Sequence, residues 1–210
     1  MGRADHDPDA FAEELAALKR RGCAVLVVNP PSGRQRCEAL LGEDGRERIL
    51  VDTGDNASDP SGDHDVVDAG KPGVRSASAS SAPSQAGSLA GVRDLDEIAR
   101  DLRHRIDRHA EGGLEPGELR VCFGNAETLA AREEEAIERF FEDVSARVKE
   151  VGGMGHAHLP VTSPVRDWIE PVFDVTVEVR SGPDGRQQRW LLHEAGLDSG
   201  WLAIEDTGPG

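Results

Sequence analysis

Two histidines one residue apart, His156 and His158, are where residue type and spacing first suggest chemistry. Side chains alternate along a strand, so an H-x-H pair turns both imidazoles to one face and could hold zinc if a third ligand joined them. Neither a Cys nor an acidic motif flanks the pair in sequence, so the expectation is an ordinary strand holding no metal. Cys23, Cys37 and Cys122 are odd in number and form no C-x-x-C pair, which reads as reduced, buried small residues. His193-Glu194 lacks the second His of a zincin motif, and no G-x-S-x-G elbow is present. Trp168, Trp190 and Trp201 stand in apolar runs and read as core anchors rather than as a base-stacking platform.

The elements that must position these residues follow from periodicity. Asp9 can cap a helix carrying Phe11, Leu15 and Leu18 at helical spacing, with Gly22 as its stop. Cys23 to Val28 is a continuous apolar run, the pattern of a strand covered on both faces, as in parallel sheets. A turn at NPPSG, a short helix from Arg34 through Leu41 and a strand at Ile49 to Val51 complete a βαβ unit. Residues 53–92 are rich in Gly, Ser, Ala and Asp and are expected to be a mostly disordered insertion, Asp65 to Ala69 alone offering a short strand.

Beyond that insertion, Asp94 and Glu97 resemble a capping box ahead of the stripe Leu95, Ile98, Leu102 and Ile106. Leu119, Val121 and Phe123 alternate as a strand, and a long helix is expected from Glu133 to Val151. A strand from His156 to Val161 and a helix capped by Ser163 follow. Phe173, Val175, Val177 and Val179 then alternate with polar residues, and a turn at SGPDG leads to a partner strand over Gln187 to Leu192. Trp201, Leu202 and Ile204 suggest a further antiparallel strand.

Composition bounds what such a domain can do. The net charge is −16, and only three of the 24 basic residues are Lys, a balance that suits a salt-rich cytoplasm in which carboxylates hold surface water. That acidity argues against a surface that tracks nucleic-acid phosphates. No stretch of about 18 apolar residues exists and the first residues lack the apolar core of a signal peptide, so neither membrane nor export is expected. The reading is one α/β domain over residues 1–210.

The strand and turn VLVVNPPSG, the strand LRVCF, and the run HAHLPVTSPVRDWIEPVFDVTVEVR followed by RQQRWLLHE resemble the RecA/KaiC branch of the P-loop ATPases. The chain also looks like a shortened, degenerate haloarchaeal family with no assigned function. The resemblance implies a RecA-like, mostly parallel sheet flanked by helices, with a C-terminal antiparallel β meander. It also implies where a phosphate-binding loop would stand. That loop requires G-x-x-x-x-G-K-[ST], so that backbone N–H groups, a Lys and a hydroxyl reach phosphate and Mg²⁺. Here the remnant is Asn29, Ser32, Gly33, Arg34 and Gln35: Asn29 replaces the first Gly, Pro30 and Pro31 remove donors, and no Lys or hydroxyl follows Gly33 in the required place.

Gly124 and Asn125 stand where such ATPases carry an acidic residue toward Mg²⁺, and Asp52 and Asp55 stand near the usual catalytic Glu. The expectation is therefore a non-catalytic scaffold in the cytoplasm, with no cofactor and a protein partner. The alternatives are a nucleotide sensor without hydrolysis, or an enzyme of another class using His156, His158 or Asp52.

Overall fold

The computed structural model of the chain describes residues 7–29, 40, 45–53, 64–70, 93–182 and 185–204. Its first helix, α1 (Pro8–Arg21), is capped by Asp7 rather than Asp9. Asp7 Oδ1 accepts from the N–H groups of Asp9 and Ala10, both at 3.1 Å, because Pro8 fills the first helical position, where a missing N–H costs nothing. Asp9 falls in the first turn, near the positive end of the helix dipole. Gly22 ends the helix at φ 83°, and a Cβ there would lie 2.8 Å from the Gly153 carbonyl oxygen, so this close approach requires glycine.

β1 (Cys23–Val28) is buried at all six residues, as its unbroken apolar run demands. Four further strands run parallel to it or to its neighbours: β2 (Glu47–Asp52), β3 (Asp65–Asp68), β4 (Leu119–Phe123) and β5 (Met154–Leu159). β6 (Val175–Gly182) is also parallel to β1, and the direction then reverses through β7 (Gly185–Leu192), β8 (Leu197–Asp198) and β9 (Leu202–Ala203). The sheet order is β3-β2-β4-β5-β1-β6-β7-β8, with β9 also on β7. The first strand is thus central, and later strands insert between it and the second. This is the layout expected: a mostly parallel sheet between helices, ending in an antiparallel meander.

Two apolar layers hold the sheet. On one face α2 (Leu95–Glu111), α3 (Glu134–Glu150) and the short α4 (Arg166–Ile169) cover Ala24, Leu26, Ile49, Val51, Val121, Phe123, Ala157 and Leu159. α2 and α3 present the stripes read from sequence, including Ile98, Leu102, Ile106, Ile137, Phe141 and Val148. Asp94 caps α2 through Asp96 N at 2.9 Å. On the other face Leu18 of α1 packs with Cys23, Val25, Val27, Met154, Val175, Val177 and Leu192.

Several boundaries differ from the sequence expectation. β5 begins at Met154 and stops before Pro160, which has no N–H for a ladder, so Val161 lies outside the strand and exposed. Ser163 does not cap a helix: Ser163 and Pro164 form a turn, with Arg166 N donating to Ser163 O at 3.3 Å, and α4 starts only at Arg166. Phe173 does not share a face with Val175 and Val177. A 3-10 turn at Glu170–Val172 precedes it, β6 begins two residues later, and Phe173 packs instead with Phe141 in the layer under α3. The short strand expected at Asp65 to Ala69 is present as β3, paired with β2. The rest of the expected insertion, apart from residue 53 and residues 64–70, lies outside the described residues, as does the helix expected from Arg34 through Leu41 except for Leu40.

Candidate functional site

In sheets of this kind ligands sit beyond the carboxyl ends of the strands. β1 leaves the sheet at Asn29, whose φ of 58° is the left-handed conformation that Asn tolerates better than most side chains. Its N–H donates to Leu159 O at 2.7 Å and its Nδ2 donates to Val179 O at 3.0 Å, so the side chain ties the end of β1 to β6. Ser32, Gly33, Arg34 and Gln35 lie outside the described residues. Asp52 ends β2 half-buried, its carbonyl accepting from Ala69 N at 2.8 Å, whereas Asp55 lies outside the described residues.

The end of β4 is built differently from a metal-organising acidic position. Gly124 is followed by Asn125, whose Oδ1 accepts from Glu127 N at 3.1 Å and caps a 3-10 turn at Ala126–Leu129. Thr128 Oγ1 donates to Asn125 O at 2.8 Å, closing the turn. A Cβ built at Gly124 would meet nothing nearer than Val51 O at 3.9 Å, so no packing demand excludes a side chain there.

The two histidines of β5 do share a face, as the alternation predicts, with ring centroids 5.1 Å apart. Register then supplies a neighbour that the linear sequence hides. Cys122 of β4 stands directly across from His156, and one ligand atom from each of Cys122, His156 and His158 falls within 4.8 Å of the other two. All three are buried, at 0%, 3% and 1% exposure. Cys122 was readable only as a small buried residue, because no local motif links it to residues 34 and 36 positions later.

A second polar group lies where β6 and β7 leave the parallel sheet. Thr176 Oγ1 donates to Glu170 Oε1 at 2.9 Å, which leaves its oxygen to accept from His193 Nε2 at 2.9 Å. Arg166 donates to Glu170 and Glu178, the nearer contacts being 3.0 and 2.8 Å. Burial alone would raise the Glu170 carboxyl, but the hydrogen bonds from Arg166 and Thr176 outweigh it and hold the group below the ordinary carboxylate range. Glu194 is exposed and pairs with Arg21 at 2.9 Å. No nucleophile-base-orienter series runs through this group, since Glu170 engages the hydroxyl rather than the imidazole. Of the three tryptophans, Trp168 and Trp190 pack against the two apolar layers as expected. Trp201 does not: it lies beneath Arg180, whose guanidinium carbon is 3.8 Å from the ring centroid.

Among the described residues no helix is long and apolar enough to cross a membrane. No curated protein sequence matches the chain. Among solved structures it is similar to a KaiC-like protein of the hyperthermophilic archaeon Pyrococcus horikoshii OT3, at 12% identity and a TM-score of 0.48, over 81% of this chain and 78% of that one. The model of a family of unknown function, DUF7504, matches residues 22–179, three quarters of the sequence, from the glycine that ends α1 to the middle of β6. The chain therefore belongs to the DUF7504 family.

Proposed function

We propose that this domain is a non-hydrolysing RecA-like scaffold that acts through protein contacts, in a regulatory role, within a salt-rich cytoplasm. The observation that carries this reading is the end of β4. Gly124 offers no carboxylate, and the Asn125 side chain is committed to capping its own 3-10 turn. Asn29 supports it from the end of β1, two strands away, spending its amide on β6.

The energetic consequence is large. Each lost charge-assisted contact to a triphosphate or its metal is worth roughly 1.5 to 3 kcal/mol, so the missing Lys, hydroxyl and acid together remove on the order of 5 to 9 kcal/mol. Micromolar affinity corresponds to only about 8 kcal/mol. The domain is therefore expected to bind Mg·ATP no better than millimolar and to release no phosphate from it. Calorimetric titration with Mg·ATP in molar KCl, with a phosphate-release assay alongside, tests both. Micromolar binding without turnover would replace the scaffold by a nucleotide sensor. Turnover abolished by Arg34→Ala or Gln35→Ala would replace it by an ATPase.

A further inference from the structure

We propose that Cys122, His156 and His158 form a binding site for a zinc-class transition-metal ion. The thiolate and two neutral imidazoles would be its protein ligands, leaving a fourth position for water or another small donor. The site is independent of nucleotide chemistry and is built by strand register alone. His156 and His158 are two residues apart on β5, and Cys122 of β4 is the parallel partner of His156, so three donors from adjacent strands converge on one sheet face.

The contrast along that face supports a ligand. At the same levels β1 and β6 carry Val25, Val27, Val175 and Val177, the apolar filling a covered sheet normally uses. On β4 and β5 those levels carry a thiol and two imidazoles, each at most 3% exposed. A metal ion would turn these three convergent groups into ligands. The donor set also selects the ion. Sulfur with two imidazole nitrogens suits zinc, cobalt or nickel, and not the oxygen-seeking magnesium or calcium.

Geometry requires little adjustment. Zn–S of about 2.3 Å and Zn–N of about 2.0 to 2.1 Å place tetrahedral donors roughly 3.3 to 3.6 Å apart, against the 4.8 Å limit within which these three already lie. Side-chain rotation on the order of 1 Å closes the difference. Binding forms three coordinate bonds and releases the thiol proton to solvent, with no change in oxidation state.

The test uses the full chain, stripped with chelator and titrated with Co²⁺ in molar KCl. One equivalent is expected to bind with a tetrahedral visible spectrum and a thiolate-to-metal charge-transfer band, and zinc should displace it. Cys122→Ser should abolish the charge-transfer band. His158→Ala should weaken binding by more than about 100-fold, beyond the roughly 10- to 100-fold that outer-shell partners cost. Cys23→Ser, which removes a thiol from the same face outside the site, should leave both unchanged.

Because these positions are buried, circular dichroism of each metal-free variant must match the metal-free parent, and zinc should raise the melting temperature of the parent but not of Cys122→Ser. A weak, octahedral cobalt spectrum without charge transfer would mean that only surface carboxylates bind, and would overturn the proposal. So would a charge-transfer band that survives Cys122→Ser.

Discussion

The carboxylate of Asp174 accepts a hydrogen bond from the backbone N–H of Ala24 at 2.8 Å, joining residues 150 positions apart. The Asp174 N–H in turn donates to Ala24 O at 3.0 Å, so the two residues are clamped in both directions just where β1 begins. The second carboxylate oxygen accepts from Lys149 Nζ at 3.1 Å, adding the end of α3 to the junction. Truncating this side chain would leave a buried strand N–H without its acceptor. Asp174→Ala is expected to destabilise the domain by about 2 to 3 kcal/mol. The denaturant midpoint should fall while the slope of the transition stays constant. A shift below about 0.5 kcal/mol would mean that water replaces the carboxylate at no cost.

Phe141 touches three other aromatic rings edge-on or tilted: Phe123 at 5.5 Å, Phe140 at 5.2 Å and Phe173 at 5.5 Å between centroids. It lies 3% exposed between α3 and the sheet. Phe141→Ala should cost about 3 to 5 kcal/mol, the upper range for a cavity in a close-packed layer. Phe141→Leu, which refills most of the volume, should cost distinctly less in the same denaturant measurement.

The depressed Glu170 carboxyl sets an acid limb to stability. Its folded value lies below that of an unfolded Glu, about 4.3, so its contribution is fully present above that pH and is lost as the pH falls through the folded value. Glu170→Gln is therefore expected to be less stable than the parent at neutral pH and to converge with it under acid conditions. Denaturation midpoints taken from pH 7 down to about pH 3 would show this as a narrowing gap. A gap constant over that range would assign the effect to shape rather than charge.

The net charge of −16 predicts a strong response to salt. Raising KCl from dilute buffer to about 1 M shortens the Debye length to roughly 3 Å and screens carboxylate repulsion, so the melting temperature should rise across the series. A flat profile would identify an ordinary acidic surface rather than an adaptation to salt.

What could be read from the sequence was whatever a local pattern determines. The run from Cys23 to Val28 announced a doubly covered strand, and the stripes of α2 and α3 announced the face they bury. Asp7 and Asp9 are the same residue type two positions apart, and only the proline between them decides which one caps. Phe173 kept the alternation of β6 on paper, but the 3-10 turn before it withdrew it from the strand and turned it to the opposite layer. The meeting of Cys122 with His156 was illegible for a deeper reason. It depends on the register between two parallel strands joined through a long helix, and no residue between them encodes that register locally.

The central position of β1 also constrains how the domain can form. Residues 23–28 are made before either of their strand partners, residues 154–159 on one side and 175–178 on the other. An apolar, β-branched segment must therefore wait, unpaired, through the synthesis of some 130 residues before either neighbour exists. Such a long-range closure is slow and leaves a sticky segment exposed meanwhile. At roughly 5 to 20 residues per second the interval lasts many seconds, long enough for a chaperone to become the first partner that this strand meets.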